Sequence, residues 1–220
     1  MHIQGTWVCD EDGRSLILRG CNLGGSTKVP AVENDAGVSF AGKPFPLEDA
    51  EERFAEMKRW GLRFNRLIVP WEALEHEGPG IYDEAYLAYL RKLLLIAEKY
   101  NILMWIDPHQ DVWGRAAGGD GAPAWTLEAL GIDTGRLEAA GAVIPRQTNA
   151  IVPPDKRPRM TWPAGNNRYA AATMFTLFFA GNVFAPAAVM DDKITRSTGG
   201  SNGNSYSGET AQDWLQKRYI

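Results

Sequence analysis

Two near-continuous apolar runs, Phe64-Asn-Arg-Leu-Ile-Val69 and Ile102-Leu-Met-Trp-Ile-Asp107, constrain this chain most. Each follows directly on an amphipathic helical pattern. Pro46 opens the first helix, with Leu47, Ala50, Phe54 and Met57 at helical spacing and Gly61 where a C-terminal cap belongs. Glu48 and Asp49 in its first turn, and Lys58 and Arg59 in its last, suit the helix dipole. Asp83 caps a second helix carrying Tyr86, Leu87, Leu90, Leu93, Leu94 and Ala97 on one face, and Asn101 ends it. Apolar strands alternating with such helices predict an α/β fold, a parallel sheet covered by helices.

Ahead of these units, Thr6-Trp-Val8, the turn Asp10-Glu-Asp-Gly13 and Ser15 to Asn22 predict a hairpin running into a buried strand. A loop rich in Gly and Pro spans 23–45. Three strand–helix units are then visible, whereas a closed (β/α)8 barrel needs eight in about 250 residues. Residues 109–167 read as one long loop after the third strand, and 191–208 as a flexible linker or lid. A helix is expected near Tyr169–Ala180. The apolar run Met174–Met190 is interrupted by Gly181, Asn182 and Pro186 and falls short of the roughly 20 residues of a bilayer span. A buried helix and turn are predicted there.

Charge excludes some partners. The net charge of −4, from 27 acids against 23 bases, offers no footprint for nucleic acid or an anionic membrane. Cys9 and Cys21 read as buried thiols, and a cytoplasmic address is expected from the absence of a visible signal peptide or Asn-linked acceptor. His2, His76 and His109 are scattered and the cysteines unpaired, so no zinc site is predicted. No cofactor is suggested.

The candidate chemistry clusters past the third strand, in Asp107-Pro-His-Gln-Asp-Val-Trp-Gly114 and Gly118-Gly-Asp-Gly-Ala-Pro-Ala-Trp125. Polar groups at the C-terminal ends of barrel strands face the ligand site. Asp107, His109 and Asp111 alternate along one such end. Trp113 and Trp125 offer flat faces of the kind that pack on a sugar ring. Arg66, within the first of the two apolar runs, needs a carboxylate partner, as a structural ion pair or as the group that orients a catalytic carboxylate. Lys28, after the first strand, is either a contributor to the same face or a solvated surface residue.

Four runs carry a resemblance: Arg63 to Trp71, Ile106 to Trp113, Gly118 to Glu128 and Ala172 to Gly181. They resemble glycoside hydrolase family 5, in its endoglycoceramidase-related branch of glucosylceramidases and steryl β-glucosidases. The resemblance implies that residues 1–220 form the N-terminal portion of a TIM (β/α)8 catalytic barrel. It also implies retaining hydrolysis of a β-glucoside or glycolipid by two glutamates roughly 5 Å apart. Arg66 then matches the strand-two arginine near the nucleophile, and His109 the histidine lining the sugar subsite. Lys28 and Asp111 match residues that bind sugar hydroxyls, and Trp71, Trp113 and Trp125 match aromatic positions.

One departure matters. The family's acid/base lies in an Asn-Glu-Pro run, and this sequence has no Asn-Glu pair. Both catalytic glutamates are expected beyond Ile220, so these residues alone are predicted inactive. The alternative is a non-catalytic carbohydrate-binding or interaction protein derived from part of a barrel. Either way, three barrel strands expose a sheet edge, which predicts self-association.

Overall fold

The computed structural model describes residues 1–28, 32–34, 37–38, 42–144, 165–186, 188–191 and 206–219. Strands β1 (His2–Gln4) and β2 (Trp7–Cys9) form an antiparallel hairpin around Gly5, whose φ of 61° suits the turn. At Asp10–Gly13 the Asp10 carboxylate accepts from the amides of Asp12 and Arg14. The strand expected after this turn is much shorter than predicted. A single bridge, Cys9 to Ser15, follows, and ladder geometry returns only in β3 (Asn22–Leu23). Ile17 and Leu18 are exposed, so among the described residues little packs on this stretch to hold it extended. Strands β4 (Val32–Asn34) and β5 (Gly37–Val38) make a second small hairpin.

Helix α1 (Leu47–Trp60) begins after Pro46 and ends at Gly61, which takes the left-handed conformation and donates to the Lys58 carbonyl. Strand β6 (Phe64–Pro70) follows, then the single-turn helix α2 (Trp71–Glu75). Asp83 caps helix α3 (Glu84–Lys99) by accepting from the Tyr86 amide at 2.8 Å. Asn101 turns the chain at φ 55° into strand β7 (Leu103–His109).

These strands form one parallel sheet in the order β3-β6-β7. Leu23, Leu67 and Val69 point to the face covered by α1 and α3, where they meet Ala50, Phe54, Tyr86, Leu93 and Ala97. Burying a side chain such as Phe54 or Leu93 there stabilises the fold by about 1.5–3 kcal/mol. Asn65 is fully buried on this face because its amide is satisfied. Its Oδ1 accepts from the Cys21 amide, and its Nδ2 donates to the Leu62 carbonyl.

Past β7 the described part of the predicted long loop, 110–144, carries two 3-10 turns and the short helix α4 (Trp125–Glu128). Residues 145–164 lie outside the described residues. Helix α5 (Tyr169–Phe184) runs past the expected Ala180, where φ of −145° marks a break. Its first half is seated on the core through Ala171 and Met174, while Phe179, Val183 and Phe184 are exposed. Strands β8 (Val189–Asp191) and β9 (Tyr206–Thr210) pair antiparallel at the two ends of the predicted linker, of which 192–205 lies outside the described residues. Helix α6 (Ala211–Arg218), capped by Thr210, closes a second core with Trp71, Trp113, Trp125, Met174, Trp214 and Leu215. No described helix is long and apolar enough to cross a membrane.

Candidate functional site

Parallel register places Arg66 beside Trp105 and Pro70 beside His109. Side chains alternate along a strand, so Arg66, Asp107 and His109 share the face not covered by α1 and α3. There Asp107 Oδ2 lies 2.8 Å from Arg66 Nη2 and 2.7 Å from His109 Nδ1. The partner that Arg66 requires is therefore on the neighbouring strand.

The Gly-rich run supplies the next layer. Residues 118–122 fold back on 109–114, and Asp111 and Asp120 exchange backbone hydrogen bonds of 2.7 and 2.9 Å. A Cβ on Gly119 would sit 1.7 Å from the Asp111 carbonyl oxygen, and one on Gly114 would sit 2.1 Å from that of Ala122. Glycine is what lets the two backbones meet. The fold-back delivers Asp120, buried, to the far side of the His109 ring. His109 Nε2 is 3.1 Å from Asp111 Oδ2 and 3.6 Å from Asp120 Oδ1. Val112 and Trp113 both have positive φ, 54° and 68°. For a β-branched and an aromatic residue this is strain of order 1–3 kcal/mol each, and it lies beside the cluster.

Lys28 completes the group, with Nζ 2.5 Å from Asp111 Oδ2. Burial pushes the Asp111 carboxyl up, but the Lys28 ammonium and the His109 ring outweigh it and hold the group below the usual carboxylate range. Thus Lys28, Arg66, His109 and Asp111, all expected at the site, come together. Asp107 and Asp120 join them. Asp120 was hidden in sequence because a fold-back pairing is non-local, although the glycines around it were a signal for close backbone approach.

The tryptophan expectation is corrected. Trp71, Trp113 and Trp125 are 2, 4 and 8% exposed, so none presents a flat face to a sugar. Their ring nitrogens donate inward, Trp71 to Glu75 Oε2, Trp113 to Thr126 Oγ1 and Trp125 to the Glu75 carbonyl. A large apolar ring with a satisfied N–H is more stable in the core than at a solvent-lined subsite.

The nearby glutamates are equally committed. Glu72 is buried against Arg115, whose Nε lies 3.0 Å from Oε2. Burial raises the Glu72 carboxyl, against the lowering effect of Arg115. Glu75 holds Trp71 and the Gly80 amide, and Glu128 accepts from Thr134. Asp111 and Asp120 come within 4.8 Å of each other, a spacing near that of a retaining pair. Both, however, lie on the same side of one histidine. Asp111 is held too acidic to carry the proton that an acid catalyst needs at neutral pH.

His109, Asp111 and Asp120 could also present three ligand atoms to a metal ion. The Lys28 ammonium, 2.5 Å from the Asp111 oxygen, already supplies positive charge at that point. One local pattern elsewhere adds no phosphate site. Gly37 to Lys43 has the spacing of a phosphate loop, but Pro44 stands where a hydroxyl residue belongs, and Lys43 lies over the Tyr89 ring. Gly199-Gly-Ser-Asn-Gly203 lies outside the described residues.

No family model matches the chain. Individual proteins do. A glucosylceramidase of Rhizopus delemar is 47% identical over 196 residues, covering 83% of this chain and 28% of its own length. Sterylglucosidase 1 of Cryptococcus neoformans superposes with a TM-score of 0.78 at 36% identity, covering 97% of this chain and 30% of that one. Endoglycoceramidase II from a Rhodococcus species superposes with a TM-score of 0.52 at 26% identity, covering 82% of this chain and 34% of that one. The chain thus spans under a third of the relative it matches at 47% identity, and its small open sheet corresponds to part of a barrel. Motif, register and whole-chain superposition agree, and the chain belongs to the endoglycoceramidase-related branch of glycoside hydrolase family 5.

Proposed function

We propose that the chain carries the sugar-binding side of a retaining β-glucosidase acting on a glucosylated lipid, a glucosylceramide or a steryl glucoside. The names of its relatives support that substrate class. The observation that carries the reading is the cluster of Lys28, Arg66, Asp107, His109 and Asp111 at the C-terminal ends of parallel strands. Ammonium and carboxylate groups in a partly dry site bind sugar hydroxyls by charge-assisted hydrogen bonds. Cleavage needs more, namely a proton donor for the leaving oxygen and a nucleophile across the ring. The carboxyl groups near the cluster, Glu72, Glu75, Asp107, Asp111 and Glu128, are bound to cations, amides or hydroxyls in ways that leave neither role filled. On this reading the described residues bind a glucosyl group and supply neither catalytic carboxyl.

Calorimetric titration with a glucose-configured iminosugar tests this. Saturable binding that weakens about tenfold in Asp111→Asn, the loss expected for one hydrogen bond to a charged group, supports the reading. Equal affinity in the variant, or no binding by the unaltered chain, overturns it.

Self-association is part of the same proposal. Among the described residues β7 is an edge of the parallel sheet, and Leu103, Trp105 and Ile106 on it are exposed. An apolar edge with unpaired backbone groups takes up another chain. We expect concentration-dependent mass in sedimentation experiments, reduced in Trp105→Lys. A monomer at all concentrations contradicts it.

A further inference from the structure

Resting on the sugar-site reading, we propose that Glu72 is a positioning residue that clamps the glycine fold-back at two points and so holds Asp111 and Asp120 beside His109. Glu72 stands in α2, directly past the end of β6, and is buried. Its backbone amide donates to the Gly121 carbonyl at 2.6 Å, on the returning limb. Its carboxylate accepts from Arg115 Nε at 3.0 and 3.3 Å, at the turn between the limbs. A carboxylate that accepts from a guanidinium makes one of the stronger hydrogen bonds a protein has. One residue on the neighbouring strand end therefore ties down both the turn and its return.

The fold-back needs holding from outside. Its outgoing limb leaves β7 through Val112 and Trp113, at φ of 54° and 68°. Its returning limb carries Gly118, Gly119 and Gly121, which lose more freedom on ordering than other residues. Strain of this kind persists only where the surroundings over-determine it. Within the segment, Asp111 and Asp120 exchange amide bonds, and the Ala122 amide donates to the Trp113 carbonyl at 2.8 Å. The two carboxylates beside His109 are thus carried on one paired unit, with Asp111 also bound to Lys28. If the clamp is released, the unit loosens, and a sugar hydroxyl loses an acceptor fixed in place.

Backbone order parameters from 15N relaxation of the 220-residue chain test this without a ligand. The expected result is a rigid value of about 0.85 for residues 118–122 in the unaltered chain, falling below about 0.6 in Arg115→Met. The β6 and β7 amides should stay rigid in both. Order parameters report the folded molecules alone, so a pair that merely adds stability would not move them. Gly61→Ala, destabilised at a helix end, should leave them unchanged. A fold-back as rigid in folded Arg115→Met as in the unaltered chain, or already flexible in the unaltered chain, overturns the proposal. Should Arg115→Met fail to fold by circular dichroism, Glu72→Gln decides, since it keeps an acceptor and removes the charge. Lowered order confined to 118–122 supports the proposal, and unchanged order overturns it. In the same variants the iminosugar should bind about tenfold more weakly, an ordinary coupling between adjoining groups. Undiminished affinity beside a loosened fold-back also overturns the positioning role. Failure of the unaltered chain to bind the iminosugar counts against the sugar reading, and the order parameters still decide whether Glu72 holds the fold-back.

Discussion

Lys28 Nζ lies 2.5 Å from Asp111 Oδ2, tying the segment after the first parallel strand to the segment after the third across 83 residues of sequence. The contact sets a pH dependence. A carboxyl held below its unfolded value contributes stability above that value and loses it as pH falls through the folded one. The ordinary value is 3.8. The stability difference between the unaltered chain and Asp111→Asn should therefore stay constant from pH 7 to about 4 and shrink below that. Denaturant titrations at stepped pH check this, and a difference already lost at pH 5 contradicts it.

Glu72 and Arg115 behave in the opposite sense. Burial raises the Glu72 carboxyl, so its ionised form costs stability as pH rises past the ordinary 4.5, and Arg115 offsets that cost. Arg115→Met leaves a buried carboxylate without its partner and should cost about 3 kcal/mol at pH 7. Near pH 4, where Glu72 takes up a proton, the same substitution should cost less. Equal losses at both pH values in urea melts would exclude the pair as the cause.

Gly119 lies where the fold-back touches the strand end. Alanine there would place Cβ 1.7 Å from the Asp111 carbonyl oxygen, and relieving that clash should cost about 1–3 kcal/mol. Because Asp111 moves with its backbone, iminosugar binding should weaken as well. Gly61→Ala, strained at φ 75° but with open space around it, should cost about 1 kcal/mol and leave binding untouched. Paired melts and titrations of the two variants separate local strain from damage to the site.

Trp125 is a core residue in this account. Trp125→Phe removes the N–H donated to the Glu75 carbonyl and should cost about 1–3 kcal/mol, with no change in iminosugar affinity. A tenfold loss of affinity in a stable variant would restore the tryptophan to the sugar site.

The sequence made some features legible through local rules. Pro46 and Gly61 bound α1, Asp83 starts α3, and the two apolar runs are β6 and β7. His109 and Asp111 were visible because they sit at a strand end, and Arg66 because a charge within an apolar strand demands a partner. What escaped was non-local. The run from Ser15 to Cys21 is apolar enough for a strand, yet Ile17 and Leu18 find little to pack against among the described residues. A tryptophan near a strand end suits a sugar platform or a core equally well. Only the inward partners Glu75 and Thr126 decide between them. Asp120 depends on a backbone pairing that glycine permits but does not announce.

We infer that the described residues gather a glucosyl-binding cluster and that no carboxyl pair among them is placed to cut the bond. Release of the aryl alcohol from an aryl β-glucoside by the purified chain tests it most directly. The account predicts no release above the rate in buffer, with iminosugar binding intact in the same preparation. Turnover that is abolished by Asp111→Asn or by the iminosugar would contradict it, because it would place a working acid and nucleophile among these 220 residues.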